Sequence, residues 1–237
     1  LPNLSEASEH QIRNALATLN PRSNDAVSTL NALTQLCTSE NLEERNEGFE
    51  SALILMQYNI IHHQQNFIGS LGPTMFELAL QCCDDPSIIS RMLSQNVIEL
   101  NDVNPKGDTP LHIAAQYNVN PEILTLLINS GCQLNAKNYD GMTPIQMAAM
   151  ENPNPEIIST FILYGEDVHQ RDDQGNNLLH LAIEFSNFNV LKFLAKEGIN
   201  IHDKNVNQYS PLELAKEDPQ IDMNTISVLI NKFTIGR

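Results

Sequence analysis

Lysine and arginine are scarce in this chain of 237 residues. There are 13 of them against 29 aspartates and glutamates, which gives a formal net charge of −16. Proteins that bind nucleic acids or anionic membrane surfaces neutralise phosphates with basic side chains. The charge balance therefore argues against both as the main partner. An acidic surface serves solubility, which is the simpler reading, or it favours a partner with a basic surface.

Cysteines are few, and long apolar runs are missing. No pair among Cys37, Cys82, Cys83 and Cys132 has the spacing of a metal site, so we expect reduced packing residues in a cytoplasmic protein. No apolar run is long enough to span a bilayer, which predicts no membrane insertion. No signal segment opens the chain, and a start at Leu1 rather than Met is consistent with a fragment of a longer protein.

Familiar catalytic patterns are also missing. The sequence has no G-x-S-x-G, no P-loop, no H-E-x-x-H and no dinucleotide-binding glycine pattern. His62 and His63 are neighbours on a predicted helix and cannot both face one metal ion. Cys83 with one of these histidines is the remaining nucleophile and base pair, without an active-site signature nearby. We therefore expect no enzymatic activity, no metal and no cofactor.

What the sequence does contain is a repeated motif. Self-similarity at spacings of 35, 34, 34 and 33 residues is typical of a solenoid, in which each unit buries its apolar face only against its neighbours. The copies are GPTMFELAL (72–80, degenerate), GDTPLHIAA (107–115), GMTPIQMAA (141–149), GNNLLHLAI (175–183) and QYSPLELAK (208–216).

These motifs resemble the ankyrin repeat, whose core reads roughly G-x-T-P-L-H-x-A-A. The resemblance implies an all-α solenoid of helix–turn–helix units joined by hairpin loops. It covers residues 70–237, with units at about 70–103, 104–137, 138–171, 172–204 and 205–237. The family usually binds other proteins with its hairpin tips and the exposed edges of its inner helices.

Individual residues fit this unit. Thr109, Thr143 and Ser210 are suited to cap the inner helix, and glycines such as Gly131 are suited to end the outer one. Two features depart from the pattern. Asn177-Leu178 replaces Thr-Pro, and the linkers after Ala115 and Ala149 are about one residue longer and hold Asn in place of Gly. These departures leave the local helix starts uncertain.

Residues 1–69 lack the motif but carry apolar residues at helical spacing, which predicts three helices, the third being the longest. Terminal repeats need a cover, so we expect this segment to cap the solenoid, with a separate binding or catalytic module as the alternative. Glu40, Glu43, Glu44, Glu47 and Glu50 open the third helix. They suit the helix N-terminus electrostatically or form a docking face, and the sequence does not decide between these.

Three positions have specific roles implied by the resemblance. His112 and His180 are expected to be structural, each bonding between adjacent loops. Asn135 shares a position with Asn101, His169 and His202 that usually holds the hairpin turn. The same position resembles the target of asparaginyl hydroxylase, which makes Asn135 a candidate for hydroxylation.

The remaining variable positions predict the binding surface. Exposed aromatic residues and methionines are enriched at interface cores, and a stripe of Tyr117, Met150 and Phe185 would be such a feature. The alternative is that Met150 and Phe185 pack between repeats. The predicted partner-binding residues are Lys106, Asp108, Gln116, Tyr117, Tyr139, Asp140, Met142, Met150, Glu151, Asp173, Gln174, Asn176, Glu184, Phe185, Val206, Asn207 and Tyr209.

Together these features predict a monomeric protein–protein interaction module with a rigid concave groove. An adaptor, an inhibitor or an effector that binds a host factor in the host cytosol all fit. One alternative is the substrate-recruiting arm of an enzyme whose catalytic part lies in residues 1–69 or outside this chain. Another is a structural assembly module, which would self-associate.

Overall fold

The computed structural model describes residues 35–41, 44–46, 48–53, 75–94, 99–219 and 221. The chain divides into two compact units, Leu1–Glu99 and Leu100–Arg237. The predicted boundary between residues 69 and 70 lies outside the described residues, as does most of the predicted N-terminal helical cap. Both stay predictions.

The first unit is helical where it is described. Residues 75–82 form a helix, and helix α1 (Pro86–Leu93) follows after a short turn. Asp85 caps α1, because its carboxylate accepts a hydrogen bond from the Ser87 amide at 2.8 Å. Ile88, Ile89 and Met92 of α1 are fully or almost fully buried. The degenerate motif is therefore followed by the second helix that a repeat requires.

The second unit alternates inner and outer helices. Within the described residues, extended pairing is limited to one bridge between Arg171 and Asn177, so the predicted all-α solenoid is confirmed. None of the described helices is long and apolar enough to cross a bilayer. The inner helices are α2 (Pro110–Tyr117), α4 (Pro144–Glu151), α6 (Leu178–Glu184) and α8 (Pro211–Glu217), and the outer ones are α3 (Pro121–Asn129), α5 (Glu156–Leu163) and α7 (Phe188–Lys196).

All four inner helices begin with the same reciprocal cap. The side chain of the third helical residue accepts a hydrogen bond from the backbone N–H of the residue that precedes the helix. Asn177 replaces the motif threonine, and Gln146 and Glu213 stand where the other two inner helices have the motif histidine. These replacements preserve the helix starts, because each side chain supplies an oxygen acceptor to the cap. The pairs are Thr109–His112 (3.1 Å), Thr143–Gln146 (2.8 Å), Asn177–His180 (3.2 Å) and Ser210–Glu213 (2.8 Å).

Helix stacking forms the core of the second unit. Each inner helix packs on the next, in the order α2, α4, α6, α8, and the outer helix α3 packs on α5. Ala114, Ala148, Ala182 and Ala215 are fully buried on the inner helices, where a small side chain lets neighbouring helices approach closely. Successive hairpins and linkers are consequently brought next to one another along two edges of the stack.

Candidate protein-interaction surface

Each hairpin is folded around one Asn or Asp side chain. The Asn138 Oδ1 accepts hydrogen bonds from the amides of Asp140 (3.1 Å) and Met142 (2.9 Å). Asp172 does the same for Gln174 (2.9 Å) and Asn176 (2.7 Å) in the next repeat. Side chains of this kind replace the backbone partners that a tight turn lacks. The hairpin tips therefore have a fixed conformation.

Neighbouring hairpins are also joined by their backbones. The Tyr139 amide donates to the Lys106 carbonyl at 3.1 Å, and the Val206 amide donates to the Gln174 carbonyl at 3.0 Å. Gly107 has φ of +81°, and a Cβ there would lie 2.6 Å from the Tyr139 nitrogen. Only glycine allows this approach without displacement of the backbone. The close approach positions Tyr139 at its hairpin tip.

Two of the predicted partner-binding residues are part of the scaffold. Asp108 and Asn176 are only 6% and 5% exposed. The Asn138 Nδ2 donates to the Asp108 Oδ1, and the Asn205 Nδ2 donates to the Asn176 Oδ1, both at 2.8 Å. These bonds join adjacent hairpins and leave both side chains inaccessible to a partner. We therefore remove Asp108 and Asn176 from the candidate surface.

The two motif histidines lie buried between adjacent loops. The Nε2 of His112 is 2.9 Å from the Met142 carbonyl oxygen, and that of His180 is 3.0 Å from the Tyr209 carbonyl oxygen. The Thr109 amide donates to the His112 Nδ1, so a neutral His112 carries its hydrogen on Nε2 and donates it to Met142. Burial lowers the pKa of each of these histidines below the usual value for a histidine side chain. Each neutral ring thus links one repeat to the next.

Asp167 and Asn200 hold the turns that follow the outer helices α5 and α7. The sequence analysis did not single out these two residues. The Asp167 and Asn200 side chains accept hydrogen bonds from the amides of His169 (2.8 Å) and His202 (3.0 Å), two positions further on. Asn135 is exposed. Its hydroxylation stays a prediction. In these two repeats the turn-holding residue lies two positions before the one that the resemblance implied, whereas the side chain of Asn101, at the implied position, accepts a hydrogen bond from the Gln133 amide at 3.1 Å.

A second set of asparagines joins the linkers between inner and outer helices. Asn152 is fully buried, and its Nδ2 donates to the carbonyl oxygens of Ala115 and Asn118, both at 2.8 Å. The Nδ2 of Asn187 donates to the carbonyls of Ala149 (3.2 Å) and Asn152 (2.8 Å). For Asn152 the sequence signal was the replacement of Gly by Asn in a longer linker, whereas the sequence analysis did not single out Asn187. The bridging role depends on the neighbouring repeat and could not be read from one unit.

Most of the other predicted partner-binding residues reach the solvent. Tyr139 is the most exposed aromatic residue among them at 73%, and Val206 is 64% exposed. Gln116, Met142 and Met150 are half-buried. The exposed members are Lys106, Tyr117, Tyr139, Asp140, Glu151, Asp173, Gln174, Glu184, Phe185, Val206, Asn207 and Tyr209.

An open cleft of about 490 Å³ lies where the α4–α5 linker meets the α6–α7 linker. Met150, Glu151 and Pro153 line one side, and residues 185–189 line the other. Two residues of the predicted stripe, Met150 and Phe185, therefore share this cleft. Tyr117 does not line the cleft. Tyr117 is the last residue of α2, and the corresponding last residue of α4 is Glu151 rather than Met150.

The cysteines lie in packed surroundings. Burial raises the pKa of Cys37, Cys83 and Cys132 to about 12, which keeps these thiols protonated at neutral pH. His62 and His63 lie outside the described residues, so their pairing with Cys83 stays open. In the part of the chain that the structure describes, no three His, Cys, Asp or Glu side chains are grouped so as to hold a metal ion.

The stacked helix pairs and their hydrogen-bonded hairpins define a helical repeat protein. The family model for ankyrin repeats (3 copies) matches residues 76–161 and 145–233, and the chain belongs to the ankyrin-repeat family. Ankyrin repeats are generally protein–protein interaction modules, and the family is typically non-catalytic.

One relative is the human transient receptor potential cation channel subfamily A member 1. It is 34% identical to this chain over 70 residues, which is 30% of this chain. The match spans only 6% of the channel's own length. The likeness therefore concerns a short segment of that protein.

Proposed function

We propose that this chain is a protein-binding module whose working surface consists of the hairpin tips and the exposed ends of the inner helices. In this role it holds a segment or domain of another protein and acts as an adaptor, an inhibitor or an effector that binds a host factor. The observation that carries the proposal is the set of large exposed side chains on a fixed backbone: Tyr117, Tyr139, Phe185, Val206 and Tyr209.

Rigidity makes these side chains effective for binding. The hairpin bearing Tyr139 is fixed by the Asn138 side chain and by the bond from the Tyr139 amide to Lys106. A preformed surface loses little conformational entropy when a partner docks. Aromatic residues on such a surface are the residue types that most often dominate interface energies.

The charge of this unit favours a basic partner. Between Leu100 and Arg237 there are nine lysines and arginines against seventeen aspartates and glutamates. Lys137 lies 2.8 Å from an Asp173 carboxylate oxygen, and Arg171 is paired with Asp203. The excess of acidic residues in this stretch produces a negative potential over the surface. Such a potential accelerates encounters with positively charged partners.

Affinity capture from a cytosolic lysate tests this proposal. The parent chain is compared with a Tyr117→Ala, Tyr139→Ala, Val206→Ala variant, in which large side chains are removed from the proposed surface. The matched control is Val119→Ala with Leu163→Ala, because these side chains are 45% and 82% exposed and lie outside the proposed surface. Circular dichroism melts verify that all three proteins are folded.

We expect the parent and the control to retain the same specific proteins and the surface variant to lose them. If the folded surface variant retains them as well, the proposed surface is wrong and residues 1–69 become the candidate. If the parent retains nothing, the chain is better explained as a recruiting arm of a larger protein. Sedimentation of the parent alone tests the expected monomer against the assembly-module alternative.

A further inference from the structure

The cleft between the α4–α5 and α6–α7 linkers combines apolar and acidic surface. Phe185 is 44% exposed and lines one side, while the half-buried Met150 lines the other. The ring and the thioether form an apolar lining that is open to solvent. A long apolar side chain from another molecule would be partly desolvated there.

Two carboxylates adjoin this apolar surface: Glu151 lines the cleft, and Glu184 directly precedes Phe185 in the chain. Glu151 is the last residue of α4 and Glu184 is the last residue of α6, and both are exposed. A helix C-terminus carries a partial negative charge, so it favours a cation and disfavours a carboxylate. Neither glutamate forms an ion pair within the described residues. The basic residue nearest to Glu184 in the sequence is Lys192, which is exposed on α7.

The arrangement therefore attracts a cation from outside the chain. Two helix C-termini and two carboxylates contribute negative potential to the same end of the stack. An exposed aromatic face such as that of Phe185 adds attraction for a guanidinium or ammonium group. The apolar lining is covered only if a large apolar group accompanies the cation. A polypeptide segment supplies such a group, whereas an inorganic cation does not.

We propose that this cleft binds a partner segment in which an arginine or lysine adjoins a large apolar residue. The apolar side chain contacts Met150 and Phe185, and the basic side chain is stabilised by Glu151, Glu184 and the two helix ends. This assignment rests on the proposed protein-binding function and names the chemistry of the segment that is recognised.

Selection of a random-peptide display library on the full chain tests the assignment. Enriched peptides are synthesised, and their Kd is measured by fluorescence anisotropy. We expect enrichment of Arg or Lys next to Leu, Met or Phe. Phe185→Ala and the double variant Glu151→Gln, Glu184→Gln should each weaken binding roughly tenfold. Added salt should weaken binding to the parent more than binding to the double variant.

Glu197→Gln is the matched control, because Glu197 is also an exposed carboxylate at a helix C-terminus and lies outside the cleft. Its Kd should equal that of the parent. The assignment is overturned if no peptide is enriched, if enriched peptides lack basic residues, or if they bind the double variant as tightly as the parent. It is also overturned if the double variant instead abolishes a dimer of the parent in sedimentation. If one of these results is obtained while the parent chain still captures specific proteins from the lysate, only the cleft assignment is wrong. The proposed protein-binding function is then unaffected.

Discussion

The inner helices of this repeat stack end in two different ways. Helices α2 and α4 are followed by Asn118 and Asn152, which are extended, with φ of −81° and −76° and ψ of 130° and 123°. Helix α6 is followed by Phe185, and Ser186 comes next in the left-handed region with φ of 56°. The Asn187 amide then donates to the Ala182 carbonyl at 2.8 Å, which closes the helix end as a Schellman motif.

The two endings produce different surfaces. The extended ending buries Asn152 completely and seals one linker against the one before it. At the left-handed ending Asn187 forms the equivalent bridge but is only half-buried, and the open cleft lies at this junction. A difference of about one residue between linkers therefore accompanies the change from a fully buried bridge to a half-buried one beside an open cleft. Within one repeated fold, such local differences provide places where a partner can bind.

The largest expected effect comes from breaking the sealed junction. Asn152→Ala leaves the Ala115 and Asn118 carbonyls without their buried donor, which should lower the free energy of unfolding by about 3 kcal/mol. The half-buried Asn187→Ala should lose about 1 kcal/mol, because water can replace the lost donor there. Urea unfolding of the purified variants measures both. Equal losses would contradict the distinction between sealed and open junctions.

Acidification should weaken the contact between adjacent hairpins that His112 forms and leave the asparagine bridges between adjacent linkers intact. Burial lowers the pKa of His112 in the folded chain, so the unfolded chain binds a proton first as the pH falls. The free energy of unfolding has its full value above about pH 6.5 and falls as the pH drops below it. The total loss is about 1.4 kcal/mol for each unit by which the pKa of His112 in the folded chain lies below that in the unfolded chain. Protonation of Nδ1 would also place two donors, Nδ1–H and the Thr109 amide, against each other.

The matched variant for this prediction is His112→Gln, since Gln146 forms the same cap in the next repeat without titrating. Unfolding free energies at pH 7.5 and pH 5.5 should differ less for this variant than for the parent. An unchanged pH dependence in the variant would show that His112 does not contribute to it.

Replacing the left-handed residue should produce a smaller effect of opposite sign. Ser186→Gly removes the strain of a side chain at positive φ and should raise the free energy of unfolding by about 0.5–1 kcal/mol. Asn152→Gly, at the extended ending, should be destabilising because it removes the bridging amide. Chemical denaturation of the pair measures the contrast, and destabilisation by Ser186→Gly would contradict the account of the α6 ending.

The smallest expected effect concerns the carboxylates near the cleft. Glu151→Gln and Glu184→Gln each remove a negative charge from a helix C-terminus and should stabilise the chain by about 0.3 kcal/mol at low salt. Glu122→Gln, in the first turn of α3, should be destabilising by a similar amount. Thermal melts at low and high salt measure these shifts. Destabilisation by the cleft substitutions would indicate a structural role for the glutamates.

Much of the fold could be predicted from the sequence because the repeat encodes it locally. The caps at Thr109 and Thr143 and the N-terminal Asn of α3 follow from nearest neighbours along the chain. The burial of Asp108 and Asn176 and the bridge from Asn152 depend on the adjacent repeat, so one unit does not reveal them. The predicted stripe took Met150, although the motif spacing of 34 residues places Glu151 at the position that corresponds to Tyr117.

Hydrogen–deuterium exchange on the chain alone and bound to a captured partner tests the central claim most directly. The account predicts that a partner slows exchange at the hairpin tips near Tyr139 and Val206 and at the inner-helix ends near Tyr117 and Phe185. Exchange in the outer helices α3 and α5 should not change. Slowed exchange confined to those outer helices or to residues 1–69 would contradict the account.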